Sequence, residues 1–560
     1  MKRPSTRLRR LAEAPAGEGG REAAVGLLAE VVRDQFRAHP ALARANGDHE
    51  KDGLVAETGG AAEARRCQEL AKLREELHQA DPGGDPDLRL DLEIARSTVE
   101  RELFDLEVRR RPFTDPTSVL DGDSPLDVGG YLLRDYAPLA ERMSGLCQQL
   151  EQAPEWAETA LSMLEPNLAG PLIELALEGV EGQRNFFRDD IARAAGDLGE
   201  PQLRERVGRA AQLGEEVLDR IVAELERRRP DAHQQASLGP ERLVQMLLLQ
   251  EGVERSVAEL RQEADSELES LLEQRNRLLT DQFGGRDLAD VRGDEERNHF
   301  AEADLIPGTA SLLEELRGFV ERHGEVPIPE GPHCEVRPSP GFMTAWVSAA
   351  YEGVGLLETR ELPCIYYVTV PQPSWKGQET EEWLRYMNRA TLKNISVHEV
   401  YPGHHVQYLY SRHLVSDLRR FFWTPGFGEG WAHYAELLMI EAGLAEADPI
   451  LRLSQIEEAL LRACRYRTAV GLHADGWQVE DGTRLFMGRV GMEELPARRE
   501  AARGTYDPLY LVYTLGKLQI LRWREEWLSR QRGDLRAFHR RVLAAGSPPL
   551  AALERWLQAN

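Results

Sequence analysis

The chain has little of what would place it in several large classes of protein. Its 560 residues include only five cysteines, Cys67, Cys147, Cys334, Cys364 and Cys464. None forms a CxxC pair, so neither a disulfide framework nor a thiolate zinc site is expected, and this usage fits a reducing compartment. No apolar run approaches the roughly 20 residues needed to span a bilayer. Positive charge is also short: Lys plus Arg number 69 against 95 Asp plus Glu, a net charge of −26. A general nucleic-acid binder needs a basic footprint to release counterions from phosphate. An anionic membrane surface selects for the same basic character, so neither partner is expected. Lys2, Arg3, Arg7, Arg9 and Arg10 are not followed by an apolar stretch, and Leu11–Gly20 cannot form the core of a signal peptide. Residues 1–20 read as a loose, solvated tail of a cytoplasmic protein.

What is present suffices for a sizeable core, because 42% of the residues are hydrophobic and 29% charged, which argues against global disorder. Apolar residues fall three and four apart, with charges between them, near 22–38, 62–80, 86–110, 130–150, 200–229 and 241–280, which predicts helices. Leu243, Leu247, Val253, Val257, Leu260, Leu268, Leu271 and Leu272 form one such stripe and read as helix-on-helix core. The longest interruption, VPIPEGPHCEVRPSP within Glu325–Pro340, divides a helical region 21–325 from a second helical region 326–560, unless the two form one continuous fold. The strand signal is sparse and is best at Cys364–Pro371, CIYYVTVP. A long helical pattern runs from Thr380 to about Tyr401, and another begins near Glu429 after the turn Pro425–Gly428. Further helices are expected over 454–475, 508–530 and 534–557. The expected fold is mainly α, a large helical bundle with a small β element.

Three histidines fall within eight residues, in His398-Glu399-Val400-Tyr401-Pro402-Gly403-His404-His405. The motif HExxH sets two imidazoles on one helical face at i and i+4, but here Pro402 occupies i+4. On an unbroken helix His405 would share the face of His398 about 10 Å further along the axis, a long reach for two ligands meeting one ion. Pro402 cannot continue a helix, Tyr401 before it is biased away from helical angles, and Gly403 permits unusual ones. With Pro-Gly looped out, His404 takes the place of the i+4 histidine, and His405 is the alternative. A catalytic Zn²⁺ takes imidazole and carboxylate ligands and keeps one position for water; Glu399, beside His398, suits the general base. A third ligand is offered by Glu429, which shares a helical face with His433 and Glu436 at i, i+4 and i+7. His433 and Glu436 are candidates to orient a ligand imidazole.

The segments HEVYPGHHVQ and GEGWAHYAE resemble the large bacterial "domain of unknown function" family 885, which is similar to the gluzincin zinc metallopeptidases, among them the thermostable carboxypeptidases and angiotensin-converting enzyme. The resemblance extends from about 290 to 545. It implies one zinc per chain on His398, His404 and Glu429, with Glu399 as acid/base, in a cleft between two helical halves. It also implies an edge strand that pairs with extended substrate, a place that Ile365, Tyr366, Tyr367 and Val368 would fill by strand addition. Arg462–Trp477 matches a stretch ending in GLHxxGW, which implies His473 as an oxyanion or carboxylate binder, although Ala469 stands where the family often carries Asp. Tyr510-Leu511-Val512-Tyr513-Thr514-Leu515-Gly516 resembles a YxxG helix, and Tyr513 is the implied oxyanion donor. Arg462, Arg465, Arg522 and Arg524 are further candidates to clamp a substrate carboxylate.

These readings converge on a cytoplasmic zinc metallopeptidase that hydrolyses short peptides in the manner of a carboxypeptidase or oligopeptidase, with a homodimer left open. Two rivals remain. Glu75–His78 and Glu296–His299 have the Glu-x-x-His spacing of a dinuclear carboxylate oxidase or storage bundle, and a zinc site could serve structure alone in a non-catalytic scaffold.

Overall fold

The computed structural model describes residues 20–120, 122–344, 347–372, 375–530 and 533–559. The tail expected at 1–20 lies outside the described residues, apart from Gly20, which opens the first helix. The fold is mainly α, with one three-stranded sheet among the described residues. No described helix is long and apolar enough to cross a membrane.

Several expected helices are divided where one residue satisfies a helix end. The stripe over 241–280 becomes Pro240–Glu251 and Val257–Phe283. Gly252 closes the first at φ 67°, and Ser256 opens the second in a reciprocal cap with Glu259. The pattern from Thr380 to Tyr401 becomes Gly377–Tyr386 and Arg389–Glu399, because Asn388 accepts hydrogen bonds from Ala390 N and Thr391 N. The expected 534–557 helix is broken by Gly546-Ser547-Pro548-Pro549 into Leu535–Leu543 and Leu550–Ala559. The expected turn at 425–428 is instead the first turn of helix Pro425–Glu441, with Pro425 at its start, where no backbone donor is needed.

The core does not divide at 325. One cluster joins Leu28, Leu92 and Val99 to Phe427, Trp431 and Leu553. A second core, from Val119 to Leu225, forms a satellite helical layer. Arg134 fastens this layer to the sheet by donating to Glu352 Oε1 (2.9 Å), Pro363 O (2.8 Å) and Gly353 O (2.7 Å). His49 makes a second tie. Its ring stacks on Tyr136 at 3.5 Å, and its nitrogens lie 2.9 Å from Glu358 Oε2 and 3.4 Å from Asp52 Oδ1. Burial alone would lower the imidazole, but the two carboxylates outweigh it and raise it from 6.5 to about 9. The charged ring therefore stabilises the fold fully below about pH 6.5, and that contribution fades as pH rises through about 9. Thermal unfolding of His49→Gln should show a deficit of about 1 kcal/mol at pH 6 that disappears by about pH 10. A deficit that does not change with pH would rule out the charge as its source.

In the sheet, β1 (Cys334–Pro338) runs parallel to β3 (Cys364–Val368), with Cys334 opposite Cys364. Strand β2 (Ala349–Glu352) pairs antiparallel on the other side of β3, with Tyr351 opposite Tyr366. The expected strand is thus the central one. Ile365, Tyr366, Tyr367 and Val368 are at most 3% exposed and hydrogen-bonded on both sides, so they cannot serve as the substrate-pairing edge. A run apolar on both faces belongs to a strand covered on both faces, whereas edge strands are short or broken by charge.

Candidate metal centre

The histidine motif is split between two helices. Helix Arg389–Glu399 stops, residues 400–403 turn, and helix His404–Arg412 begins. Gly403 is obligatory in this turn: its N–H donates to Val397 O at 3.0 Å, and a Cβ there would lie 1.7 Å from His398 O. Gly403→Ala must therefore displace the turn that carries His398. The expected result is destabilisation by at least about 2 kcal/mol, read by thermal unfolding, together with weakened zinc uptake; wild-type stability would contradict the contact.

The break brings His404, not His405, to His398. Ligand atoms of His398, His404 and Glu429 all lie within 4.8 Å of one another, and no other cluster of three such residues occurs among the described residues. Glu429 Oε2 is 3.4 Å from His398 Nε2 and 3.4 Å from His404 Nε2. Ligands bound tetrahedrally to zinc at about 2.0–2.1 Å stand about 3.3–3.4 Å apart. Glu429 Oε2 is buried and accepts no hydrogen bond, and a buried polar atom left unpartnered is costly. A cation among the three groups would satisfy it, so the residues fit a zinc ion. His405 turns away: it is 1% exposed, with Nδ1 3.1 Å from Tyr351 Oη. Burial pulls its imidazole down to about 4, which keeps it neutral.

Charge compensation reinforces the fit. Burial and Arg462 would lower His398, but Glu429 and Glu436 raise it to about 9. Burial would raise Glu429, but the His404 and His398 imidazoles hold it well below the usual carboxylate range. Metal uptake at this position therefore competes with a proton and would release it.

Glu436 Oε1 stands 2.7 Å from His398 Nδ1, the ring nitrogen that faces away from Glu429. It is itself held by Asn394 Nδ2 (3.0 Å) and Arg462 (3.1 Å). Arg462 thus serves Glu436 and not a substrate carboxylate. Arg465 is likewise engaged by Glu500, Arg522 by Glu263 and Arg524 by Glu441. His433 is fully buried, and neither ring nitrogen makes a hydrogen bond; Nδ1 stands 3.8 Å from Glu436 Oε1, so it does not orient a ligand.

Glu399 points to the outer edge of β2, where its Oε2 accepts the Tyr351 N–H at 2.9 Å. Burial, opposed by the His398 and His404 imidazoles, pushes its carboxyl up. Tyr513 also reaches the centre. Its ring stands 6.4 Å from that of His398, nearly parallel, and its hydroxyl accepts from Arg503 at 3.2 Å. Burial and nearby Glu429 raise its hydroxyl to about 12, so it stays protonated. Two glycines allow this approach: a Cβ on Gly430 would meet the Gly516 backbone at 2.7 Å, and one on Gly516 would meet Gly426 O at 2.0 Å. His473 has no ring nitrogen left for an oxyanion or a carboxylate. Its Nδ1 accepts from Leu238 N (3.1 Å) and its Nε2 donates to Gly504 O (2.8 Å), so both nitrogens are consumed in joining chain segments. Glu75–His78 and Glu296–His299 join no metal-type cluster among the described residues. His78 meets Arg74 O, and His299 meets Phe300 O and Glu381.

Sequence reading missed Tyr351 and Asn394. Asn394 lies one helical turn before His398 and could have been found by the i, i+4 rule. Tyr351 carries no local signal, being 48 residues from Glu399.

With this geometry established, comparison with known proteins adds the family. The profile of a family described as "bacterial protein of unknown function (DUF885)" matches residues 40–557. The chain belongs to that family. No curated protein matches the sequence. Two solved structures share the DUF885 chain's fold. One, titled a "putative lipoprotein of unknown function" from Shewanella oneidensis, superposes with a TM-score of 0.77 at 20% identity, covering 96% of this chain and 100% of that one. The other, titled a "putative lipoprotein" from Colwellia psychrerythraea, superposes with a TM-score of 0.81 at 19% identity, covering 96% and 99%.

Proposed function

We propose that this protein is a zinc-dependent hydrolase of short peptides, resembling the gluzincin metallopeptidases. The observation that carries the reading is the triangle of His398, His404 and Glu429, whose buried Oε2 accepts no hydrogen bond, with a second carboxylate, Glu399, next to His398 in sequence. Zinc held there would leave a coordination position for water, lower that water's pKa towards about 7 and polarise a carbonyl.

The chain's own residues supply the remainder. Glu399, raised by burial and fixed by the Tyr351 N–H, takes the water proton and returns it to the leaving amine. Tyr513, protonated and tethered by Arg503, donates towards the oxygen of the attacked carbonyl. Glu436 fixes the ring of His398. β2 is the outer strand on the Glu399 side among the described residues, so an extended peptide would add along β2 and not β3, pairing with the backbone groups that the Tyr351 N–H contact to Glu399 leaves over.

The test is elemental analysis followed by hydrolysis of a peptide library by the zinc-loaded protein. One zinc per chain with cleavage products supports the reading. Zinc without hydrolysis reassigns the site to structure, and no zinc uptake removes the proposal altogether.

A further inference from the structure

The structure assigns Trp423 as the wall of an apolar subsite beside the metal centre, one that selects an aromatic or bulky aliphatic side chain on the His404 side of the cleaved bond. The inference rests on the metal-centre reading above and adds the chemical class of the substrate residue.

Trp423 stands out from its surroundings. Phe421, Phe422 and Thr424 are all at most 8% exposed, whereas Trp423 is 44% exposed. Of the described tryptophans, it alone is among the strongly exposed large apolar residues. Scattered exposed apolar residues are ordinary, so exposure by itself assigns nothing. Placement and rigidity do.

The indole lies 6.5 Å, ring to ring, from His404 in an edge-on arrangement. It rests on Gly428, the residue before Glu429; a Cβ at 428 would sit 2.1–2.2 Å from indole atoms. The ring therefore spans from one metal-type ligand to the backbone beside another. Its backbone is fixed as well. Trp423 bridges Ser547, Thr424 N and Oγ1 both donate to Ser547 O at 3.0 Å, and Ser547 Oγ donates back to Thr424 O at 3.2 Å. A large aromatic face held in one place loses little conformational freedom when a ligand side chain covers it. The centre is then asymmetric. Trp423 borders the His404 side, while Tyr513, with Arg465 and Arg503 over its ring, borders the His398 side.

The test uses two small metal-binding probes, phenylalanine hydroxamate and glycine hydroxamate, titrated into zinc-loaded protein by calorimetry. The wild type should bind the phenylalanine probe at least about tenfold more tightly. Trp423→Ala should abolish that preference while keeping one zinc and the affinity for glycine hydroxamate, and Trp423→Phe should retain most of it. Equal binding of the two probes by the wild type, or an undiminished preference in Trp423→Ala, overturns the subsite. Absence of zinc uptake, or no binding of either probe, instead sinks the metal-centre reading and the subsite with it.

Discussion

Glu399→Gln should keep one zinc per chain and lose peptide hydrolysis by about 10²- to 10⁴-fold, the usual worth of a positioned general base. The amide has the shape of the carboxylate, and its oxygen can still accept the Tyr351 N–H that holds Glu399 Oε2 at 2.9 Å. It cannot accept a proton from water. Glu399→Asp separates charge from position, because it keeps the carboxylate but shortens its reach by one methylene. A misplacement of about 1 Å can cost about 10²-fold, so this variant should also be severely impaired. Full activity of Glu399→Gln in a zinc-loaded preparation would reject the assigned base.

His398→Ala should lose zinc. Structural zinc sites bind with about 10–16 kcal/mol in total, so one of three protein ligands carries about 4 kcal/mol, or about 10³-fold in affinity. His404→Ala and Glu429→Ala should behave alike, because Glu429 Oε2 lies at 3.4 Å from each imidazole. Glu436→Gln should cost less, about 10- to 100-fold, because it touches His398 and not the ion. Zinc added to the wild type should raise the unfolding temperature by several degrees, and His398→Ala should not respond. One zinc retained in both His398→Ala and Glu429→Ala would move the site elsewhere.

Local chemistry explains which parts of this centre could be read in advance. His398, Glu399, His404, Glu429 and Glu436 sit on helices whose periodicity determines which side chains share a face, and Pro402-Gly403 marks the break that decides between His404 and His405. The erroneous readings share a cause. CIYYVTVP is apolar on both faces, which signals a strand but also its burial between two neighbours; β1 (CEVRP) and β2 (AAYE), which carry charges or proline and so lack an apolar strand pattern, hold the edges. His473 follows a recognisable motif, yet its partners, Leu238 N and Gly504 O, lie 235 and 31 residues away.

Helical class, the net acidity and the candidate ligand residues are legible in the sequence, because they depend on composition and on local spacing within each helical segment. The distances that turn those residues into a centre were set only by tertiary packing. Gly430 and Gly516 let two helix backbones touch and so bring Tyr513 to His398. Tyr351 arrives from a strand that the sequence does not announce, and Arg462 is drawn to Glu436 because a buried carboxylate requires a partner. No local rule reaches across such separations: contacts between distant segments form only when burying apolar surface outweighs the entropy of closing the long loops between them.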